Sequence, residues 1–438
     1  MKQNLLLVGL LCLVLFSENT WSNLRVMSWE TSRSSQVYFV RAPEIPMVDI
    51  RLVFGAGSAR DGQQAGLAKI VNRLLLEGAG DLRAIQFKDR LAMTGARLHV
   101  DSLREMAFIS LRTLKGEEFL TEAVELLALA ASKARFDSKE IRRIIDQIRL
   151  ELRLKEQSLS AVADAKLWRE IYGDHPYGSS PLGNDRSLEG ITRKDLLEFY
   201  QTYYVNKNLV VAIVGDLHES EAETLAESIT AALPLGEPAP SIPVVPSSGT
   251  VREITIPRDS KQTHIRLGKP GMTRNDPDYF PLLVGNHVLG GNSLVSILFR
   301  EIRSKRGLSY STHSYFVPME VPGPFVVGMQ TESSNTKRAM EVLSDTLNNF
   351  VDEGPSDKDL KLAKSNLIKG FPNRIDSNQK ILGYIAMIGF YGLPLDYLET
   401  FGAKVAAVGR VDVKSAFSRR IGYDFSTVIV GKDFDLVD

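Results

Sequence analysis

Three pairs of landmarks recur along the chain at a nearly constant spacing, and this repetition constrains the fold more than any other feature. A strand closing on Val-Gly ends at Gly215 (NLVVAIVGD, Asn208–Asp216) and again at Gly431 (STVIVGK, Ser426–Lys432), 216 positions later. Each is preceded by a helix-like stretch, Thr192–Leu197 and Gly409–Lys414. Long helices open at Ser138 and Ser356, 218 apart, and a helix ends before a strand at Gly95 and Gly307, 212 apart. Between the copies lies LGEPAPSIPVVPSSGT (Leu235–Thr250), whose four prolines and small residues read as a semi-rigid linker. The expectation is a tandem duplication of one α+β domain, occupying 23–234 and 251–438 with the linker at 235–250.

Within each copy the patterns give a strand, two helices, a pair of strands, long helices and a closing strand. Val48–Phe54 (VDIRLVF) alternates like a half-buried strand, and Gly66–Leu76 has helical period. Arg97–Asp101 and Ala107–Thr113 read as strands meeting near Leu103-Arg104-Glu105. Glu118–Ala134 and Ser138–Tyr172 are helical by period and by their Ala, Leu, Glu and Arg content. Strands followed by runs of helices predict two homologous α/β sandwich domains, each an antiparallel-type sheet with helices over one face.

Composition narrows the function. Lys plus Arg and Asp plus Glu both number 53, so there is no electrostatic footprint for nucleic acid or an anionic membrane. The single cysteine, Cys12, excludes a disulfide framework and a multi-thiolate zinc site. It lies in an unbroken apolar run, Leu5–Phe16, which follows a basic start and is too short to span a bilayer. Residues 1–22 therefore read as a secretory signal peptide, and cleavage after either Ser17 or Ser22 fits. The expectation is export across the inner membrane to the periplasm, with no stable membrane span after cleavage and a mature chain without cysteine, suited to an oxidising compartment.

Several fragments in fixed order carry a resemblance. VDIRLVFGAGSARDGQQAGLAKIVNRLLLEGAG (Val48–Gly80), DHPYG (Asp174–Gly178), FYQTYYVNKNLVVAIVGD (Phe199–Asp216) and SILFREIRSKRGLSY (Ser296–Tyr310) are similar to the pitrilysin/insulinase family of zinc peptidases. The resemblance runs from about 37 to 430 and includes the duplicated architecture. Active members carry an inverted zinc motif, H-x-x-E-H, on the helix that follows Gly-Leu-Ala. There the two histidines bind zinc from one helix face and the glutamate activates water. Here Gly66-Leu67-Ala68 is intact, but Lys69 stands at the first histidine position, Asn72 at the glutamate position and Arg73 at the second histidine position. Two cations repel Zn²⁺, and Asn72 is no base. The family's third ligand, a glutamate on the long helix, is matched by Glu151, which reads either as an ion-pair partner of these cations or as a solvated helix charge.

No other chemistry takes its place. None of the six histidines stands close enough in sequence to another to bind a metal from one helix or hairpin, and His175 in the HPYG turn reads as structural. No G-x-S-x-G elbow is present, and Gly55-Ala56-Gly57 is a turn after a strand rather than a dinucleotide loop. Gly290 and Gly291 in VLGGNSLVS (Val288–Ser296) read as residues that let two helices reverse, and Pro322–Asn335 as the following strand and turn.

The second copy retains a different feature. The resemblance implies that Arg303 and Tyr310 form the family's Arg/Tyr pair, which faces zinc across the cleft. Tyr310 would donate to the oxyanion of the tetrahedral intermediate, and Arg303 would hold the peptide and orient the tyrosine. Gly307 would end the helix in a left-handed conformation and Tyr310 would start the next strand; Arg300 and Arg306 stand nearby as alternatives. Some bacterial members work as two unlike chains, one with zinc and one with the Arg/Tyr pair. The chain resembles the second kind, which implies no cofactor of its own, zinc in a homologous partner, and peptides or unfolded segments as substrates, held as an added strand. The competing expectation is a catalytically inactive scaffold or peptide-binding protein; a self-sufficient metallopeptidase would need ligands that are missing.

Overall fold

The computed structural model describes residues 24–246, 251–292 and 294–432. The N-terminal segment read as a signal peptide lies outside the described residues. In the first half the elements run β1 (Met27–Glu30), β2 (Gln36–Arg41), β3 (Met47–Phe54), α1 (Leu67–Leu74), β4 (Gly78–Ala79), β5 (Leu82–Arg83), α2 (Ala84–Met93), β6 (Arg97–Ser102), β7 (Ala107–Leu114), α3 (Glu117–Ser132), α4 (Ser138–Glu156), α5 (Leu159–Tyr172), α6 (Asp185–Gly190), α7 (Arg193–Tyr203), β8 (Leu209–Gly215) and α8 (Glu219–Ala231). The second half runs β9 (Glu253–Pro257), β10 (Gln262–Met272), α9 (Tyr279–Asn286), wide helical turns at His287–Gly291 and Phe299–Ser304, β11 (Ser311–Phe316), β12 (Gly323–Glu332), α10 (Thr336–Glu353), α11 (Asp357–Gly370), α12 (Asn378–Tyr391), α13 (Tyr397–Ala407), α14 (Arg410–Arg420) and β13 (Ser426–Gly431).

The two main sheets have the same topology. One is ordered β1-β2-β8-β3-β7-β6 and the other β9-β13-β10-β12-β11, so that β2, β8, β3, β7 and β6 correspond to β9, β13, β10, β12 and β11. Both are antiparallel except for one parallel pair each, β2 with β8 and β9 with β13. The registers coincide: Ile50 pairs with Ile213 in one sheet and Ile265 with Ile429 in the other. Gly95 and Gly307, the left-handed residues before β6 and β11, both have φ of 64°.

Four expectations need correction. The helix over 138–172 is broken at Gln157-Ser158, where the Ser158 hydroxyl accepts from the Ala161 N–H and starts α5 afresh. Strands β1 and β2 precede the first strand read from sequence. The sheets are covered on both faces rather than one: α5 packs on β10 and β13 of the second sheet, and α12 on β8, β3 and β2 of the first. For this reason β3 is largely buried along its length instead of alternating. Finally, Gly290 and Gly291 stand in the last helical turn before the chain leaves the helix at Asn292, not in the turn that follows. They lie in a helical turn, where a Cβ on Gly290 would fall 2.6 Å from the Ser314 backbone nitrogen. Close approach to β11 demands the glycine at position 290.

The crossing of α5 and α12 binds the halves. Ala163, Leu167 and Ile171 of α5 join a core with Val326, Val428 and Val430 of the second sheet. Ile381, Ile385 and Ile388 of α12 share a core with Val40, Val53 and Val214 of the first. Ile242 and Val245, from the proline-rich stretch, are buried in the α5 core.

Candidate functional site

Helix α1 begins where the Asp61 carboxylate accepts from the N–H groups of Gly66 and Ala68, at 2.7 and 2.8 Å. Its residues face β6, β7 and α4, the surroundings in which a metal would be held. Lys69 Nζ donates to Asp101 Oδ1 at 2.6 Å and to the Ser102 carbonyl at 2.9 Å. Asn72 is fully buried, and its Nδ2 donates to the Phe108 carbonyl at 3.2 Å. Arg73 Nη2 reaches Glu151 Oε2 at 2.7 Å, and Lys155 stands 3.6 Å from the other carboxylate oxygen. Burial pushes the Glu151 carboxyl up, but the bond from Arg73 and the charges of Arg73, Lys155 and Lys69 outweigh it and leave it below its ordinary value. Structure thus brings together all four positions aligned with the zinc motif, as a lattice of two ion pairs, Lys69–Asp101 and Arg73–Glu151, beside the backbone-bonded Asn72. An ammonium, an amide and a guanidinium give Zn²⁺ no ligand set, so the residues present do not fit the metal. Among the described residues no group of three or more His, Cys, Asp or Glu side chains is placed to share a metal ion.

His175 caps the turn before Pro176: its Nδ1 accepts from the Tyr177 N–H at 3.1 Å, and Nε2 lies 2.8 Å from the Pro243 carbonyl. It therefore ties the proline-rich stretch to the first half.

Arg303 and Tyr310 lie on the second half, apart from this lattice. The wide helical turn ends at Ser304, Gly307 takes positive φ, and Tyr310 immediately precedes β11. Tyr310 is 81% exposed, and among the described residues its hydroxyl has no hydrogen-bond partner. Of the three nearby arginines, Arg300 is held by Asp359 through bonds of 2.9 and 3.1 Å, and Arg306 by Glu301 at 2.9 Å. Arg303 is exposed, lies over the Phe299 ring at 5.2 Å, and has no carboxylate partner among the described residues.

Between the halves is a cleft of about 640 Å³, walled by β3, α1, α4, the β6–β7 turn, the 317–319 loop and α12. Lys69 and Glu151 open onto it. Where the halves meet lies Glu105, 2% exposed and not singled out by the sequence as a functional residue. Glu105 Oε1 accepts from the Tyr177 hydroxyl and from the Glu320 N–H at 2.8 Å, and Oε2 accepts from the Tyr391 hydroxyl at 2.6 Å. Burial raises its carboxyl above the ordinary value, and these three donors only partly oppose that. The one sequence signal was its place in a strand-to-strand turn, where buried acids are rare.

Known proteins bear on both regions. Residues 36–185 match the family described as insulinase (peptidase family M16), and residues 190–367 the peptidase M16 inactive domain. The chain is 28% identical to the "Non-peptidase homolog YmxG" of Helicobacter pylori over 81% of this chain and 82% of that one. It is 22% identical to an "Uncharacterized zinc protease" of Bacillus subtilis over 74% and 78% of the two chains. A crystal structure of a peptidase M16 inactive domain from Pseudomonas fluorescens is 33% identical, with a TM-score of 0.90, over 94% of this chain and 98% of that one.

Proposed function

Because the chain belongs to the insulinase (M16) peptidase family and is an inactive-type member without a zinc site, we propose that it is the non-metal subunit of a zinc peptidase made of two unlike chains. It completes the cleft of a homologous partner that carries H-x-x-E-H, and peptides or unfolded segments are cleaved between them. The observation that carries this reading is the pair Arg303 and Tyr310. A tyrosine 81% exposed, with no hydrogen-bond partner among the described residues, contributes little to its own fold. Arg303, beside two arginines that each bind a carboxylate, has no carboxylate of its own among the described residues. Both are available to a second molecule.

In that complex Tyr310 donates its phenol hydrogen to the oxyanion that forms as water attacks the scissile carbonyl, and Arg303 holds the peptide backbone. The N-terminal apolar segment supports a periplasmic location for the complex. The test is Tyr310→Phe in the assembled complex. One donor felt mainly in the transition state is worth roughly 10²–10³ in kcat, while binding of uncleaved peptide changes little. A kcat within about twofold of the wild type instead favours the inactive, peptide-binding reading.

A further inference from the structure

The pseudo-symmetry of the two halves exposes an arginine that the fold leaves without a hydrogen-bonded carboxylate. Arg51 on β3 pairs across the sheet with Ala212, and Arg266 on β10 with Val428, so the two arginines occupy equivalent places in equivalent sheets. In the second sheet Arg266 Nε donates to Asp164 of α5 at 2.5 Å, and its Nη2 to Ser160 at 2.6 Å. The residue of α12 that corresponds to Asp164, counted from the helix start, is Gly383. Geometry agrees with the count, since a Cβ on Gly383 would lie 3.9 Å from Arg51 Nη1.

The first half therefore keeps the arginine and lacks its carboxylate. Arg51 donates to Ser110 Oγ at 2.8 Å and lies 4.4 Å from the Phe108 ring centroid, while the nearby Asp49 is engaged by Arg112. Where Asp164 meets Arg266 in the second half, the first half has no such acid, and Arg51 and Gly383 both line the cleft. A second guanidinium on the same wall, Arg104, stacks 3.6 Å from the Trp168 ring centroid. Its Nε is buried without a partner, and no carboxylate pairs with it among the described residues. Burial lowers the pKa of both guanidinia, Arg104 to about 10. The acids that line the cleft are already engaged: Glu151 by Arg73, and Glu105 by its three donors.

We propose that the cleft between the halves binds an acidic peptide segment, its carboxylate received by Arg51 and Arg104 and its apolar neighbours by the surrounding wall. Partly desolvated guanidinia without a hydrogen-bonded carboxylate gain when an anion meets them, and planar forks suit a carboxylate. Val53, Met106, Phe108 and Met387 give the same wall its apolar character, and its volume accommodates a few residues. The site belongs to this chain alone and does not rest on the partner proposed above.

The test is binding of a fluorescent peptide of alternating Glu and Leu to the whole chain, read by anisotropy, with the Lys-for-Glu peptide as control. The acidic peptide is expected to bind and the basic one not. Gly383→Asp supplies the carboxylate that Asp164 gives the other half, so it is expected to weaken binding by about tenfold or more, the worth of one charge-assisted hydrogen bond. Gly383→Asn, of equal size and no charge, is expected to stay within about threefold of the wild type. Arg51→Gln should weaken binding like Gly383→Asp, and it keeps the test open if the aspartate variant fails to fold. Equal binding of both peptides, binding of neither, or wild-type affinity in Gly383→Asp and Arg51→Gln overturns the proposal. No hydrolysis is measured, so failure here is distinct from failure of the two-chain peptidase.

Discussion

Each substitution at the aligned zinc positions has found a structural use. Lys69 fastens α1 to β6, Asn72 bonds the β7 backbone, and Arg73 secures α4 through Glu151. Restoring histidines there would dismantle contacts that hold α1, and Asn72→Glu would bury a new charge at a fully enclosed position. On the proposed function the catalytic contribution comes instead from Arg303 and Tyr310, and the two residues should separate kinetically. Arg303→Ala in the assembled complex is expected to raise KM as well as lower kcat, because it removes a contact made to bound peptide. Tyr310→Phe is expected to lower kcat with little change in KM. Steady-state kinetics on both variants check this, and both chains should melt near the wild-type temperature because neither exposed side chain supports the core. An Arg303→Ala variant with unchanged KM and kcat would contradict the assignment.

At the scale of elements, α5 and α12 are the exchange that makes one body of two halves. Each is encoded in one half and packs on the sheet of the other. Glycines mark the closest approaches: a Cβ on Gly268 of β10 would lie 2.8 Å from Ile171, and one on Gly389 of α12 would lie 2.6 Å from Tyr38. Leu167→Ala, in the core between α5 and the second sheet, is therefore expected to cost about 2–5 kcal/mol. Since α5 belongs by chain to the first half, unfolding followed by hydrogen exchange should show both sheets losing protection together. Loss confined to the first sheet would contradict the exchange. Repetition of the landmarks at Gly95 and Gly307, Ser138 and Ser356, and Gly215 and Gly431 made the paired topology legible in the sequence. The exchange was not legible, because Ala163-Leu167-Ile171 is an apolar stripe at helical spacing that does not say which sheet it meets. The break at Ser158 was legible in principle as a serine cap, but the uninterrupted helical composition on either side masked it. Of the site, the replacements at Lys69, Asn72 and Arg73 could be read directly. Arg51 opposite Gly383, and Glu105 beneath Tyr391, depend on pairings hundreds of positions apart.

For the molecule as a whole, Glu105 links the halves: its turn belongs to the first, and Tyr391 and the Glu320 N–H to the second. Because burial raises its folded pKa above the ordinary carboxylate value, its contribution to stability is present below that value and is lost as pH rises through the folded one. Glu105→Gln should remove this fall, since its amide oxygen accepts from Tyr177 and Glu320 while its NH₂ faces the Tyr391 oxygen. Melting across pH is expected to show the variant gaining on the wild type as pH rises, reaching equality or an advantage of up to about 1 kcal/mol at neutrality; a wild type that gains on the variant would be contrary. The central claim concerns two chains rather than one, and reconstitution tests it most directly. The purified chain is mixed with a homologue bearing H-x-x-E-H, and peptide hydrolysis and bound zinc are measured for each chain alone and for the mixture. This chain alone is expected to show neither hydrolysis nor stoichiometric zinc, and the two combined to show chelator-sensitive hydrolysis. Hydrolysis by this chain alone, or a mixture no more active than the zinc-bearing chain by itself, would contradict it.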